Sequence, residues 1–331
     1  MQRLLSCLGM DPYIAAILGT VALATLLPAR GAGMVYANGV TAAAIALMFF
    51  LQGARLAPRA ALAGARHWRL HVVILTSTFI LFPVLGLIAH ALVPRLLTPP
   101  LWFGVLLLCM LPSTVQSSIA FTSIAKGNVP AALCAATASN LFGIVLTPLL
   151  AALLMGRSGG FSARNLGDIG SELLLPFALG QLARPWLGDW ALRNQTLLAL
   201  VDRGSILLVV YAAFSEGVTH GIWHQVDAAE MGKLLLLDAS LLAAVLLLTA
   251  GLARLLRFHR ADGITAIFCG SKKSLASGLP MAGILFAGQS LGLVILPLML
   301  FHQLQLMVCA ALARRFALTP TRPLSPVPAG T

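Results

Sequence analysis

The chain is short of charge. Only 10% of its 331 residues are Asp, Glu, Lys or Arg, against ~25% in a soluble domain, too few to cover a globule. Acidic residues number ten, and aromatics make up 7% with only three tyrosines. Cysteine is sparse and scattered, at Cys7, Cys109, Cys134, Cys269 and Cys309. No CxxC pair and no metal-ligand spacing occurs, and four of the five lie inside apolar runs, so they read as small packing residues. These shortages exclude a soluble enzyme, a coiled coil, a disordered regulator and a secreted disulfide scaffold.

What is present is apolar sequence. AVILMFWYC make up 59% of the chain and mean hydropathy is +0.93. Ten apolar segments follow one another, at about 12–29, 34–53, 70–93, 100–126, 129–155, 165–187, 197–219, 233–256, 262–287 and 290–313. Nearly all reach the ~20 residues that a helix needs to cross ~30 Å of hydrocarbon. The first also has a rival reading as a signal peptide; Arg30 directly after it, and its place in the repeat described below, favour a span.

The net charge of +12 belongs to the short segments between apolar runs. No basic stripe with interleaved aromatics is present, so nucleic acid is not an expected partner; the lipid bilayer is. With the amino terminus cytoplasmic, inner segments hold 15 of the 22 Lys and Arg and outer segments five, with Lys272 and Lys273 the remaining two. That asymmetry predicts a multi-pass protein of the cell (inner or plasma) membrane with both termini cytoplasmic.

Ten helices divide into two fives, and an odd number per half forces opposite orientations. The sequence therefore predicts an all-α integral membrane protein: ten transmembrane helices in two inverted five-helix repeats, with the fourth and ninth broken and crossing. The repeats fall at 1–156 and 157–315, followed by a Pro-rich, disordered cytoplasmic tail at 316–331. The breaks are read from Leu111–Ser118 (LPSTVQSS) and Cys269–Gly278 (CGSKKSLASG), both mid-segment and both rich in Ser, Gly or Pro. Pro112 removes a donor and disfavours helix at Leu111. Freed backbone at membrane depth must be satisfied by protein, ion or water, which makes matched breaks a pointer to a transport site.

Half-helices that end at the breaks offer carbonyls to cations; those that begin there offer N–H groups to anions. Ser113, Thr114, Gln116, Ser117 and Ser118 supply polar ligands from the first break. Gly270, Ser271, Ser274 and Ser277 belong to the second. Lys272 and Lys273 lie ten or more residues beyond Arg260 and Asp262, ~15 Å along a helix. An ammonium at that depth costs ~2.5–3.5 kcal/mol even on an insertion scale, which marks a functional site. Thr78 and Asn140, with His302 and Gln303 on the last segment, are further candidates. Glu172, Glu216 and Asp238 are placed towards the outer ends of their helices.

The stretches Leu111–Ala132, Ser139–Leu150 (SNLFGIVLTPLL), Phe268–Ala282 (FCGSKKSLASGLPMA) and Phe301–Gln305 (FHQLQ) resemble the bile acid:sodium symporter superfamily, nearest to its SBF-like branch. The resemblance spans nearly the whole chain. It implies a core of segments 3–5 and 8–10, a panel of segments 1, 2, 6 and 7, and alternating access to a substrate between them. It also implies departures. Aligned on Gly270, the family's Glu and Gln sodium ligands become Phe268 and Lys272, and its Gln on the third segment becomes Thr78. Ser117 and Ser118 are retained and are the candidate sodium ligands.

The expected function is thus secondary active transport, symporter-like, of a small organic anion. No cofactor is expected, and sodium or a proton is the open choice of coupling ion, with Lys272 standing in for sodium or carrying the proton. Two other readings stand beside it: a non-transporting membrane sensor or regulator on the same fold, and an intramembrane enzyme using a Ser–Lys pair such as Lys273 and Ser277. Substrate identity and oligomeric state are not readable.

Overall fold

A computed structural model describes residues 12–55, 67–155, 174–219, 221, 227–286 and 290–318. Among these every regular element is helical: α1 (Pro12–Leu26), α2 (Ala32–Arg55), α3 (Trp68–Leu92), α4 (Pro99–Met110), α5 (Val115–Ile124), α6 (Val129–Met155), α7 (Leu175–Arg193), α8 (Gln195–Thr219), α9 (Ala228–Leu255), α10 (Arg260–Gly270), α11 (Leu275–Leu285) and α12 (Leu291–Leu318). Six of them (α2, α3, α6, α8, α9 and α12) are long and apolar enough to cross a membrane, or seven spans if the bent pair α4–α5 counts as one. The first apolar segment forms only the 15-residue α1. α12 continues to Leu318, two residues past the expected start of the tail; residues 319–331 lie outside the described set.

The helices sort into two packed groups. In one, α2 lies against α7 and α8, and α1 against α8. A β-carbon on Gly53 would run into the backbone carbonyl of Phe177, and one on Gly180 into that of Phe50, so glycine is what lets α2 and α7 approach this closely. In the other, α3, α4, α5, α6, α9, α10 and α12 pack on one another, and α8 joins the groups through α11 and α12. The outward surface is apolar: Leu153, Trp186, Leu236, Leu247 and Met307 are each at least 70% exposed. Such a surface suits hydrocarbon rather than water. Inside, α4 buries every residue from Leu101 to Met110 except Phe103. A helix apolar on all sides is a core helix.

Both expected interruptions are real. α4 and α5 meet at a 60° bend across residues 111–114. α10 ends at Gly270 and α11 starts at Leu275. A third irregularity has no counterpart in the sequence reading. Between Trp68–Thr76 and Phe82–Leu92, α3 passes through a π-helical turn at Ser77–Leu81.

Candidate functional site

The two breaks touch through their backbones. Ser274 N–H donates to the Pro112 carbonyl at 2.9 Å. The Ser113 hydroxyl donates to the Cys269 carbonyl at 2.7 Å, and that of Thr114 to the Lys273 carbonyl at 3.0 Å. α6 braces the first break. Ser139 Oγ accepts from Ser113 N–H at 3.0 Å, Asn140 Nδ2 donates to the Ser113 carbonyl at 2.8 Å, and Thr147 Oγ1 donates to the Met110 carbonyl at 2.9 Å. Gly143 permits this approach, because a β-carbon there would lie 2.6 Å from Pro112 Cβ. Asn140 also reaches the second break, accepting from Ser277 Oγ at 3.0 Å, and Ser274 Oγ caps α11 by accepting from Ser277 N–H at 3.2 Å.

Lys273 lies at the centre and is fully buried. Its ammonium donates to the carbonyls of Thr78, Cys109 and Leu111, each at 2.8 Å. An ammonium has three donors, and all three are used. Each acceptor is free for a local reason. The π turn shifts the Phe82 N–H one residue back, onto the Ser77 carbonyl, and Pro83 has no N–H to offer Thr78 in its place. Ser113 N–H, the helical partner of the Cys109 carbonyl, donates to Ser139 instead. Leu111 lies in the break itself. The end of α4 also presents the negative pole of its dipole, and the Phe82 ring lies 4.1 Å from Lys273 Nζ. The Lys273 backbone is held as firmly: its N–H donates to Gln305 Oε1 and its carbonyl accepts from Gln305 Nε2, both at 2.8 Å.

Lys272 has the same burial and none of these partners. It is 0% exposed, and its ammonium makes no hydrogen bond among the described residues. It sits 3.7 Å above the Phe121 ring. Phe268 continues that aromatic surface, its ring centroid 6.1 Å from Phe121 and 6.0 Å from Phe316. A desolvated cation–π contact contributes ~2 kcal/mol, below the ~2.5–3.5 kcal/mol cost of an intramembrane ammonium. Lys272 is therefore a buried amine with no hydrogen-bond or acidic partner among the described residues.

Among the candidates from sequence, Ser113, Thr114, Asn140, Lys273, Ser274 and Ser277 form one hydrogen-bonded set. Ser118 joins at 3.5 Å from the Phe268 carbonyl and from Ser113 Oγ. Gly270 packs on Ser77 and Thr249, and Ser271 is buried beside them in sequence. Thr78 takes part through its carbonyl, since its hydroxyl donates back to Ile74. Gln116 is exposed, and Ser117 Oγ has no hydrogen-bond partner. His302 is one step removed, its Nδ1 2.9 Å from Gln305 Nε2. Gln303 makes no hydrogen bond in this set. Neither lysine bonds a serine hydroxyl, so a Ser–Lys pair is not assembled here. Asp238, expected near an outer vestibule, is fully buried with both carboxylate oxygens unpartnered; Glu172 lies outside the described residues.

Sequence reasoning missed Gln305, Ser139 and the π turn. Gln305 was findable: Phe301, Gln305, Cys309 and Ala313 recur every four residues on the buried face of α12, and residue 303 falls about half a turn away. The π turn leaves no comparable mark in composition.

Several apolar spans, one sharply broken, with a second break packed against the first, describe a multi-pass membrane protein built around discontinuous helices. The model of the SBF-like CPA transporter family matches residues 11–318, and the chain belongs to that family. YfeH of Escherichia coli (strain K12), which carries the provisional name of symporter, is 52% identical over 308 residues, covering 93% of both chains. Protein PA2026 of Pseudomonas aeruginosa is 52% identical over 309 residues, again 93% of each. Sodium/bile acid cotransporter 7 of Rattus norvegicus is 27% identical over 326 residues, 94% of each. The family read from the break motifs is thus the family of the whole chain.

Proposed function

We propose that the protein is a secondary transporter for a small organic anion that works by alternating access and needs no sodium. In this reading α1, α7 and the α10–α11 pair complete ten crossings in two inverted halves. α4–α5 and α10–α11 are the broken helices, and the two packed groups rock against each other. The name of the rat relative supplies the precedent of sodium-coupled bile acid uptake; the cation half of that coupling is what this chain replaces.

One observation carries the reading: the unequal state of two adjacent ammonium groups. Lys273 spends all three donors on backbone carbonyls at 2.8 Å. Those carbonyls are oxygen ligands of the kind a bound cation would use, here taken up by a cation built into the chain. Lys272 spends none and so has its charge available for an anionic substrate once the groups separate. Phe121 and Phe268 beside it suit an anion with an apolar body.

Purified protein in liposomes tests this with a panel of labelled carboxylates, sulfonates and sulfate esters, in sodium and in choline buffers. Uptake of an anion at equal rates in both buffers is expected, with loss of uptake in Lys272→Gln. Uptake that requires an inward sodium gradient would refute the sodium-free reading, and transport unchanged in Lys272→Gln would remove its role.

A further inference from the structure

A cavity of about 210 Å³ opens at one end of the bundle, where the start of α3 meets the turn between α9 and α10. It lies at the start of α10, at the opposite end of that helix from the break at Gly270. Arg69, Arg257, His67 and His259 line it, with Asp262 the one acidic residue in its wall. Asp262 is already engaged: Asn128 Nδ2 donates to its Oδ1 at 2.8 Å, and His67 Nδ1 lies 3.8 Å from its Oδ2. Arg69 makes a single 3.4 Å bond to the Leu256 carbonyl. Arg257 makes no side-chain hydrogen bond or ion pair with any described residue.

The backbone places Arg257 in this wall. α9 ends with Phe258 N–H bonded to the Ala253 carbonyl and Arg257 N–H to that of Arg254, both at 3.0 Å. That pairing needs a left-handed residue at position 257, where glycine is usual. Here it is arginine, at φ 53°. The first turn of α10 follows, and its N-cap His259 provides no side-chain cap. Its dipole adds positive potential to the cavity wall.

Trp68, Leu70 and Phe258 give the cavity an apolar side, and Trp68 is 64% exposed. Val72, one turn further along α3, and Leu255, two residues before Arg257, are 51% and 78% exposed. A tryptophan beside a helix end marks the membrane–water interface. Cationic wall and apolar side together fit one occupant: a phosphate that carries acyl chains. We propose that this cavity binds the headgroup phosphate of an anionic phospholipid, bracing α3, α9 and α10 at the membrane surface.

The test uses the full-length protein in detergent, titrated separately with phosphatidylglycerol, phosphatidylcholine and inorganic phosphate. Thermal melting and lipid retention in native mass spectrometry are the readouts. Phosphatidylglycerol is expected to raise Tm and to be retained selectively. Arg257→Gln should melt like the wild type without lipid, because its side chain has no partner to lose among the described residues. Its affinity for phosphatidylglycerol should fall about fivefold, with a similar further fall in Arg69→Gln/Arg257→Gln, as expected for a basic residue at an anionic lipid surface. Equal protection by phosphatidylcholine would overturn the proposal. So would equal protection by inorganic phosphate, which would make this a soluble-anion site, or undiminished phosphatidylglycerol binding by the double variant.

Discussion

The ammonium of Lys273 lies 2.8 Å from the carbonyl oxygen of Thr78, 195 residues earlier in the chain. The bond ties the π turn of α3 to the second break, and through the Cys109 and Leu111 carbonyls it ties both to the first. A charged donor to carbonyls contributes more than a neutral one, ~1.5–3 kcal/mol for each bond. These three elements are therefore the least separable part of the fold.

Lys272 should behave in the opposite way to its neighbour. Its ammonium has no hydrogen-bond partner among the described residues and is fully buried, so removing it relieves the ~2.5–3.5 kcal/mol insertion cost and gives up only the ~2 kcal/mol cation–π contact. Lys272→Met is expected to melt at or above the wild-type Tm while losing anion transport. A large fall in Tm would show that Lys272 is a structural cation after all.

Gln305 and Gln303 differ by two positions on one helix and should differ sharply in cost. Gln305→Leu leaves the buried Lys273 N–H without its 2.8 Å partner, a loss of ~1–3 kcal/mol, and leaves the Lys273 carbonyl with the Thr114 hydroxyl alone. Gln303→Leu should change stability by no more than ~0.5 kcal/mol, the range for substitutions that remove no such contact. Chemical melting of the two variants side by side checks this.

The buried face of α12 also shows how far the sequence could be read. The helical membrane class, six or seven of the ten expected spans, both breaks and the family follow from hydropathy and from Pro112, Gly270 and the serines, because composition and backbone chemistry decide them locally. The polar set of the site was legible where it lay in the breaks themselves. What each residue does was less so. Thr78 acts through its carbonyl, and nothing in a side-chain reading announces that. The roles of Lys272 and Lys273 depend on which of two adjacent side chains finds free carbonyls, and those are freed by a π turn and by a serine on α6, remote in sequence. Asp238 was placed by counting along α9, which gives depth but not which way a side chain faces.

Asp238 is buried ten residues into α9, ~15 Å from its start, with neither oxygen bonded. A retained polar group without a partner lowers stability by ~1–3 kcal/mol. Asp238→Leu is expected to raise Tm, and a function that depends on the carboxylate would fall with it. A lowered Tm would mean that the carboxyl is bonded through a bridging water or ion.

The central claim is that the Lys273 ammonium fills a cradle of carbonyls that would otherwise hold a cation. Lys273→Ala empties it and leaves three buried carbonyls without their donor, at ~1–3 kcal/mol for each carbonyl that finds no other partner. The most direct measurement is a melting titration of wild type and Lys273→Ala with sodium chloride against choline chloride at matched ionic strength. The expected result is no sodium-specific shift in the wild type and a saturable sodium-specific rise in Tm in the variant, following RT ln(1 + [Na+]/Kd). A sodium-specific rise in the wild type, with none gained by the variant, would contradict the account.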